Sequence, residues 1–196
     1  MTSGTLSPMK ILKYDLDSDF KVQLIGEHFI KQSQVFATIL NSDFQGNKFK
    51  FNFDNKDLNK SYKDLCKLVF RLNQTIKGGI LMFFTSYTHI TDCHKQFLES
   101  KIDFGNTKIF IEDKDPLIAT KNYESYRKQV RECSKGIFMC VSRGKLSEGL
   151  NFENSMARAC LIIGIPYLLV NDARVNLKKA YLDDCLERYN QIQNGA

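Results

Sequence analysis

The chain has 196 residues, 43% of them apolar, with a formal net charge of +6 and an isoelectric point of about 8.9. That length suits one ordinary domain with a real core, and no apolar run approaches the roughly 20 residues that span a bilayer. The positive charge permits an anionic partner without demanding one, and no run of Lys and Arg is dense enough to be a polybasic tail.

In chain order, the start "MTSGTLSPMK" has neither the basic nor the apolar region of a signal peptide. "TSGTLSP" is turn-rich sequence of the kind found inside a larger domain. Residues 10–57 are the least regular part, with short strands expected at "KVQLI" and "QVFATIL" and a loop or edge hairpin at "NSDFQGNKFKFNFDNKD". From Leu58 the pattern sharpens. Leu58, Tyr62, Leu65, Val69 and Leu72 recur at helical spacing. Lys77-Gly78-Gly79 ends that helix and "ILMFF" reads as a buried strand. Tyr87, Ile90, His94 and Phe97 mark a second helix, "TKIFIE" a strand, and Ala119, Tyr123, Tyr126, Val130 and Cys133 a third helix. "GIFMCV" and "ACLIIGI" are two more oily strands. A last helix from about Ala173 carries Leu182, Leu186 and Tyr189 on one face. Oily strands alternating with helices imply βαβ units and a parallel sheet covered on both faces. Ligands of such sheets bind at the carboxyl edge of the strands.

Six cysteines, at 66, 93, 133, 140, 160 and 185, form no CxxC. They are expected to be reduced and mostly buried rather than a disulfide framework. His28, His89 and His94 have no zinc-like spacing with them. His94 lies on an apolar helix face, which favours a packed role.

The segment "SRGKLSEGLNF", residues 142–152, follows the strand "GIFMCV" and so falls at the ligand edge. It is not a Walker A loop: Leu146 follows Gly144-Lys145, and Met139 occupies the place of the first glycine. There is no GxGxxG, and no Ser-His-Asp or Cys-His signature. One reading is a strand-to-helix turn with solvated charges. The other is a loop that offers Arg143 and Lys145 to phosphates and Glu148 to a second charged partner.

"SRGKLSEGLNF" followed by "NSMARACLIIGIPY" resembles motif V and the next strand of the iron–sulfur superfamily 2 DNA helicases, the xeroderma pigmentosum group D family. The flavour is nearest the Fanconi anaemia group J and telomere-elongation-regulator branch. "TSGTLSP", with Thr2, Ser3, Gly4 and Thr5, resembles motif III, and "GGILMFFTSY" resembles motif IV. "DARVNLKKAYLD" resembles the helix after the "GIPY" strand. The chain departs at Asn151, where the family pattern has Asp.

This resemblance implies an α/β fold with a RecA-like parallel sheet and helices on both faces. It implies that residues 1–9 close the first helicase lobe and residues 10–196 form the second, stopping before motif VI. By analogy Arg143, Gly144 and Lys145 lie near the DNA backbone, with Ser86 for phosphate hydrogen bonding and Tyr87 either for base stacking or for the core. Ser147, Glu148, Gly149 and Asn151 would couple DNA to nucleotide, Asn151 without the usual charge. Arg158 would bond within the lobe or across the cleft. The intact family enzyme uses ATP and Mg2+ for 5′-to-3′ translocation on single-stranded DNA, with nuclear DNA repair as the setting. Its iron–sulfur cluster belongs to the first lobe, so no metal site is expected here. The partners implied are single-stranded DNA and the first lobe, with no membrane.

The sequence contains no Walker motif, no DEAH box and no motif VI, whose arginine contributes about 10³–10⁵ in comparable NTPases. The chain alone is therefore expected to be inactive: a fragment, a partial gene model or a degenerate relative. The competing expectations are a non-catalytic module that binds single-stranded nucleic acid or a helicase partner, and an unrelated α/β enzyme, for which no base or nucleophile is evident.

Overall fold

A computed structural model of the chain describes residues 9–27, 29–51, 57–142, 144, 151–167 and 172–194. The chain divides into two compact units, Met1–Ile39 and Leu40–Ala196.

Among its described residues the first unit contains one helix, α1 (Met9–Leu16), and one 3-10 turn at Gln32–Gln34. The strands expected at "KVQLI" and "QVFATIL" do not form. Leu24, Phe36 and Ile39 are 93%, 90% and 94% exposed. Period-2 apolar sequence makes a strand only when a neighbouring strand accepts its backbone hydrogen bonds, and none is present among the described residues of this unit.

The second unit holds a four-stranded sheet, entirely parallel, in the order β2-β3-β1-β4. Its strands are β1 (Gly78–Phe84), β2 (Ile109–Ile111), β3 (Lys135–Val141) and β4 (Ala159–Ile163), all at or within the oily runs of the sequence. Alternate residues face opposite sides. Ile80, Met82, Phe84, Ile137, Met139 and Val141 meet α2 (Leu58–Thr75) and α3 (Tyr87–Glu99) in one core cluster. Leu81, Phe138 and Cys140 meet α4 (Pro116–Cys133) in the other. Each such large side chain contributes about 1.5–3 kcal/mol relative to exposure. Residues 41–51 include one antiparallel bridge, Ser42 with Lys48, closed by Asp43, whose Oδ1 accepts the Asn47 N–H at 2.8 Å. The bridge is isolated from the sheet and lies within the segment read as a loop or edge hairpin.

The helix starts are set locally. Ser86 caps α3, its Oγ accepting the His89 N–H at 3.3 Å. Asp115 caps α4, accepting the Leu117 N–H at 2.8 Å, with Pro116 in the first turn where its missing N–H costs nothing. A side chain at position 79 has no room. A β-carbon there would lie 1.9 Å from the Tyr126 hydroxyl and 2.2 Å from the Met156 carbonyl oxygen. The Tyr126 hydroxyl donates to that same carbonyl, tying α4 to the chain entering β4.

The last helix, α5 (Ala173–Asn194), forms where expected. Of its expected apolar face, Leu182 is half-buried and Leu186 exposed, and the Tyr189 side chain lies outside the described residues. The cysteines also divide more evenly than expected. Cys66, Cys93 and Cys140 are buried, Cys185 is intermediate, and Cys133 and Cys160 are exposed; all are free thiols.

Candidate nucleic-acid interface

β1 and β3 run side by side in parallel, so their carboxyl ends open onto the same edge. The Ser142 N–H donates to the Phe84 carbonyl at 2.7 Å, holding the exit of β3 against the exit of β1. Ser86 and Tyr87 begin α3 directly after β1, and Gly144 follows β3. Parallel topology thus brings two separated sequence segments together, 86–87 and the start of 142–152.

Glu112, the residue after β2, joins them. Its main-chain N–H donates to the Met139 carbonyl at 2.8 Å, extending the β2–β3 ladder by one bond. Its side chain is buried. Oε2 accepts the Val141 N–H at 2.8 Å, and Oε1 accepts the Tyr87 hydroxyl at 3.2 Å. Gly144 closes over the same carboxylate. A β-carbon at Gly144 would stand 2.8 Å from Glu112 Oε1, and the Gly144 N–H donates to the Val141 carbonyl at 3.0 Å. Only a residue without a side chain lets the main chain approach the carboxylate this closely. A buried carboxylate that accepts two hydrogen bonds is stabilised where an unpaired one would be costly.

Tyr87 is half-buried against the α2–α3 core cluster. Burial, and then the negative charge of Glu112, hold its hydroxyl above the usual phenol pKa, so it stays a donor. The Lys114 ammonium lies 5.8 Å from the ring centroid. Of the two roles the sequence allowed, the ring packs at the core margin and the hydroxyl is committed to Glu112. The Ser86 Oγ accepts the His89 N–H as the helix cap.

Asn151 lies on the α4 side of the sheet. Its carbonyl accepts the Tyr123 hydroxyl at 2.8 Å, and its side-chain amide donates to Glu153 Oε1 at 2.9 Å. The neighbouring Phe152 packs edge-on to Tyr123, with ring centroids 5.4 Å apart. Arg158 is at the opposite edge from Ser86. Its main-chain N–H donates to the Gly79 carbonyl at 2.9 Å, at the amino end of β1. Seven residues of strand, roughly 20 Å, separate it from Ser86. Thr2, Ser3, Gly4 and Thr5 lie outside the described residues, as do Arg143, Lys145, Ser147, Glu148 and Gly149.

Glu112 was not singled out from sequence. Its only signal there was a lone acid ending the oily run "IFI". Burial also lowers the His94 imidazole pKa, in keeping with the packed role expected for it. Among the described residues no group of three or more His, Cys, Asp or Glu side chains could hold a metal ion. Nor do the described residues provide a phosphate cradle of the Walker type. No helix among them is long and apolar enough to cross a membrane.

Comparison with known proteins agrees with this architecture. Residues 69–194 match the family model described as the helicase C-terminal domain. The regulator of telomere elongation helicase 1 homolog of Culex quinquefasciatus is 38% identical over 201 residues, an alignment that covers 100% of this chain. The homologs of Aedes aegypti and Anopheles gambiae are 37% and 35% identical, also over 201 residues and 100% of this chain. The chain spans 20% of the length of each of these relatives. A parallel α/β sheet whose β1 and β3 end on one carboxyl edge, and this family match, have one reading: the chain belongs to the helicase C-terminal domain family, as a RecA-like lobe of the branch that contains the telomere elongation regulators.

Proposed function

We propose that this chain is the second motor lobe of an ATP-dependent DNA helicase that moves 5′ to 3′ on single-stranded DNA, with residues 10–196 forming that lobe and residues 1–9 the end of the first. The observation that carries the reading is the Glu112 junction, which holds the start of α3 and the exit of β3 at one edge of the sheet. In this reading Arg143 and Lys145 grip the sugar-phosphate strand beside Ser86. Ser147, Glu148, Gly149 and Asn151 pass the grip toward a nucleotide. The amino end of α3, capped by Ser86, faces the same edge and favours an anion there.

ATP and Mg2+ belong, in this reading, to the intact enzyme, with ATP held in the cleft between the two lobes. The chain alone then binds single strands without hydrolysing ATP, and acts in the nucleus, as the names of the telomere-directed relatives suggest. Arg158, at the far edge, acts within its own lobe.

The test is a titration of a fluorescein-labelled single-stranded oligonucleotide at two salt concentrations. Affinity is expected to fall as salt rises, and Arg143→Ala with Lys145→Ala to weaken binding. Equal binding by the double variant overturns the assignment of that loop. Adding polypeptides of a longer relative that carry both its first lobe and its motif VI is then expected to produce DNA-stimulated ATP hydrolysis. Binding without hydrolysis in that mixture would make the chain a non-catalytic single-strand or helicase-partner module instead.

A further inference from the structure

A second surface lies away from the Glu112 junction, at the open side of β2. This three-residue strand is an edge of the sheet, paired with β3 on one side only. The register places the Ile137 N–H on the Lys108 carbonyl and the Glu112 N–H on the Met139 carbonyl. By the alternation of a parallel ladder, the N–H and C=O of Ile109 then point to the open side. Beside this edge runs a cavity of about 450 Å³ between the end of α3 and β2. Its wall is apolar, with Phe97, Ile102, Phe104 and Ile109, and Phe97 stacks on Phe104 at 5.9 Å.

The ionisable side chains lining it are His94, Lys101 and Lys108. Both lysines are exposed, and neither forms an ion pair among the described residues. The nearby acids are turned elsewhere. Asp103 accepts the Gly105 N–H at 2.8 Å, and Glu99 accepts from Gln96 at 3.0 Å with Lys95 at 3.9 Å. On that side the Ile111 carbonyl already accepts the Asn122 side-chain amide at 2.9 Å, which leaves the backbone of Ile109 as the open stretch. An apolar trough beside that backbone, rimmed by cations without an ion pair among the described residues, is complementary to one kind of occupant. It suits an extended peptide that alternates apolar and acidic side chains.

We propose that the β2 edge docks an extended acidic–apolar segment of a partner protein, which adds as a strand beside Ile109 and seats apolar side chains against Phe97 and Phe104. The apolar wall and the open backbone favour a peptide over a nucleic acid, whose phosphates would use the lysines alone. The proposal is independent of the motor reading, because the Glu112 junction takes no part in it.

The probe is a fluorescein-labelled octapeptide alternating glutamate with leucine or valine, titrated against the 196-residue chain by fluorescence anisotropy. A lysine-for-glutamate peptide and an unlabelled single-stranded oligonucleotide serve as competitors. The acidic peptide is expected to bind, its affinity to drop by about tenfold in Lys101→Glu with Lys108→Glu, and amide exchange at Ile109 to slow when it is bound. Ile109→Pro, which removes an N–H not used by β3, is expected to weaken binding while circular dichroism stays unchanged. If that variant fails to fold, the exposed double lysine variant still decides. No binding by the acidic peptide, equal binding by the basic one, full displacement by the oligonucleotide or an unaffected lysine variant each overturns the proposal.

Discussion

The carboxylate of Glu112 accepts the main-chain N–H of Val141 at 2.8 Å, at the last residue of β3. Its other oxygen takes the Tyr87 hydroxyl, so one buried side chain braces both β3 and the first turn of α3. Glu112→Ala leaves the Val141 N–H without that acceptor in a buried setting. The expected loss is about 1–3 kcal/mol, read as a lower urea midpoint at unchanged m-value. Glu112→Gln keeps an acceptor of similar shape and is expected to lose less.

Tyr87→Phe tests the same brace from the other end. The ring still packs, and only the 3.2 Å bond to Glu112 is lost, so stability should fall by about 1 kcal/mol. If the brace aligns the DNA-binding edge, oligonucleotide affinity falls as well. A variant with full affinity would limit Tyr87 to packing.

Gly79→Ala is expected to be more damaging than an ordinary Gly-to-Ala change in a strand. The added methyl collides with the Tyr126 hydroxyl and the Met156 carbonyl, neither of which can withdraw without moving α4 or the entry to β4. Overpacking of this kind costs about 1–3 kcal/mol. Thermal unfolding followed by circular dichroism measures it. A midpoint equal to that of the original chain would contradict the packing described here.

Stability should decline in alkali. Tyr62 and Tyr126 are fully buried, and burial holds both hydroxyls well above the ordinary phenol value. Above about pH 10 the unfolded chain releases these protons while the folded chain keeps them. Their contribution is therefore complete below about pH 10 and shrinks as pH rises toward the raised folded values. Tyr126→Phe should flatten that decline in urea midpoints measured from pH 8 to 11, while lowering the midpoint at pH 8 through the lost bond to Met156.

Thiol titration separates the cysteines. Cys133 is exposed and should react with an aromatic disulfide reagent in the folded chain, and Cys160, exposed but with burial raising its thiol pKa, should react more slowly. Cys66, Cys93 and Cys140 are buried, and burial raises the pKa of each thiol, so they should react only on unfolding.

Much of this fold is local and was legible in the residues themselves. The step from helical spacing at Leu58–Leu72 to the unbroken run "ILMFF", and its repetition through "GIFMCV" and "ACLIIGI", specifies buried parallel strands because each needs an apolar cover on both faces. The alternation of strands and helices placed 86–87 and the start of 142–152 at one edge, because parallel strands that return through crossovers end on the same side. Pattern alone misjudged "KVQLI" and "QVFATIL". Alternation records what a segment could bury, and only a neighbour decides whether it does. The strand order β2-β3-β1-β4, the open side of β2 and the buried place of Glu112 came from tertiary structure alone. Each depends on which distant backbone groups meet, and an acid that looks solvent-bound in "KIFIE" becomes the joint between two strands once Val141 and Tyr87 offer it their protons.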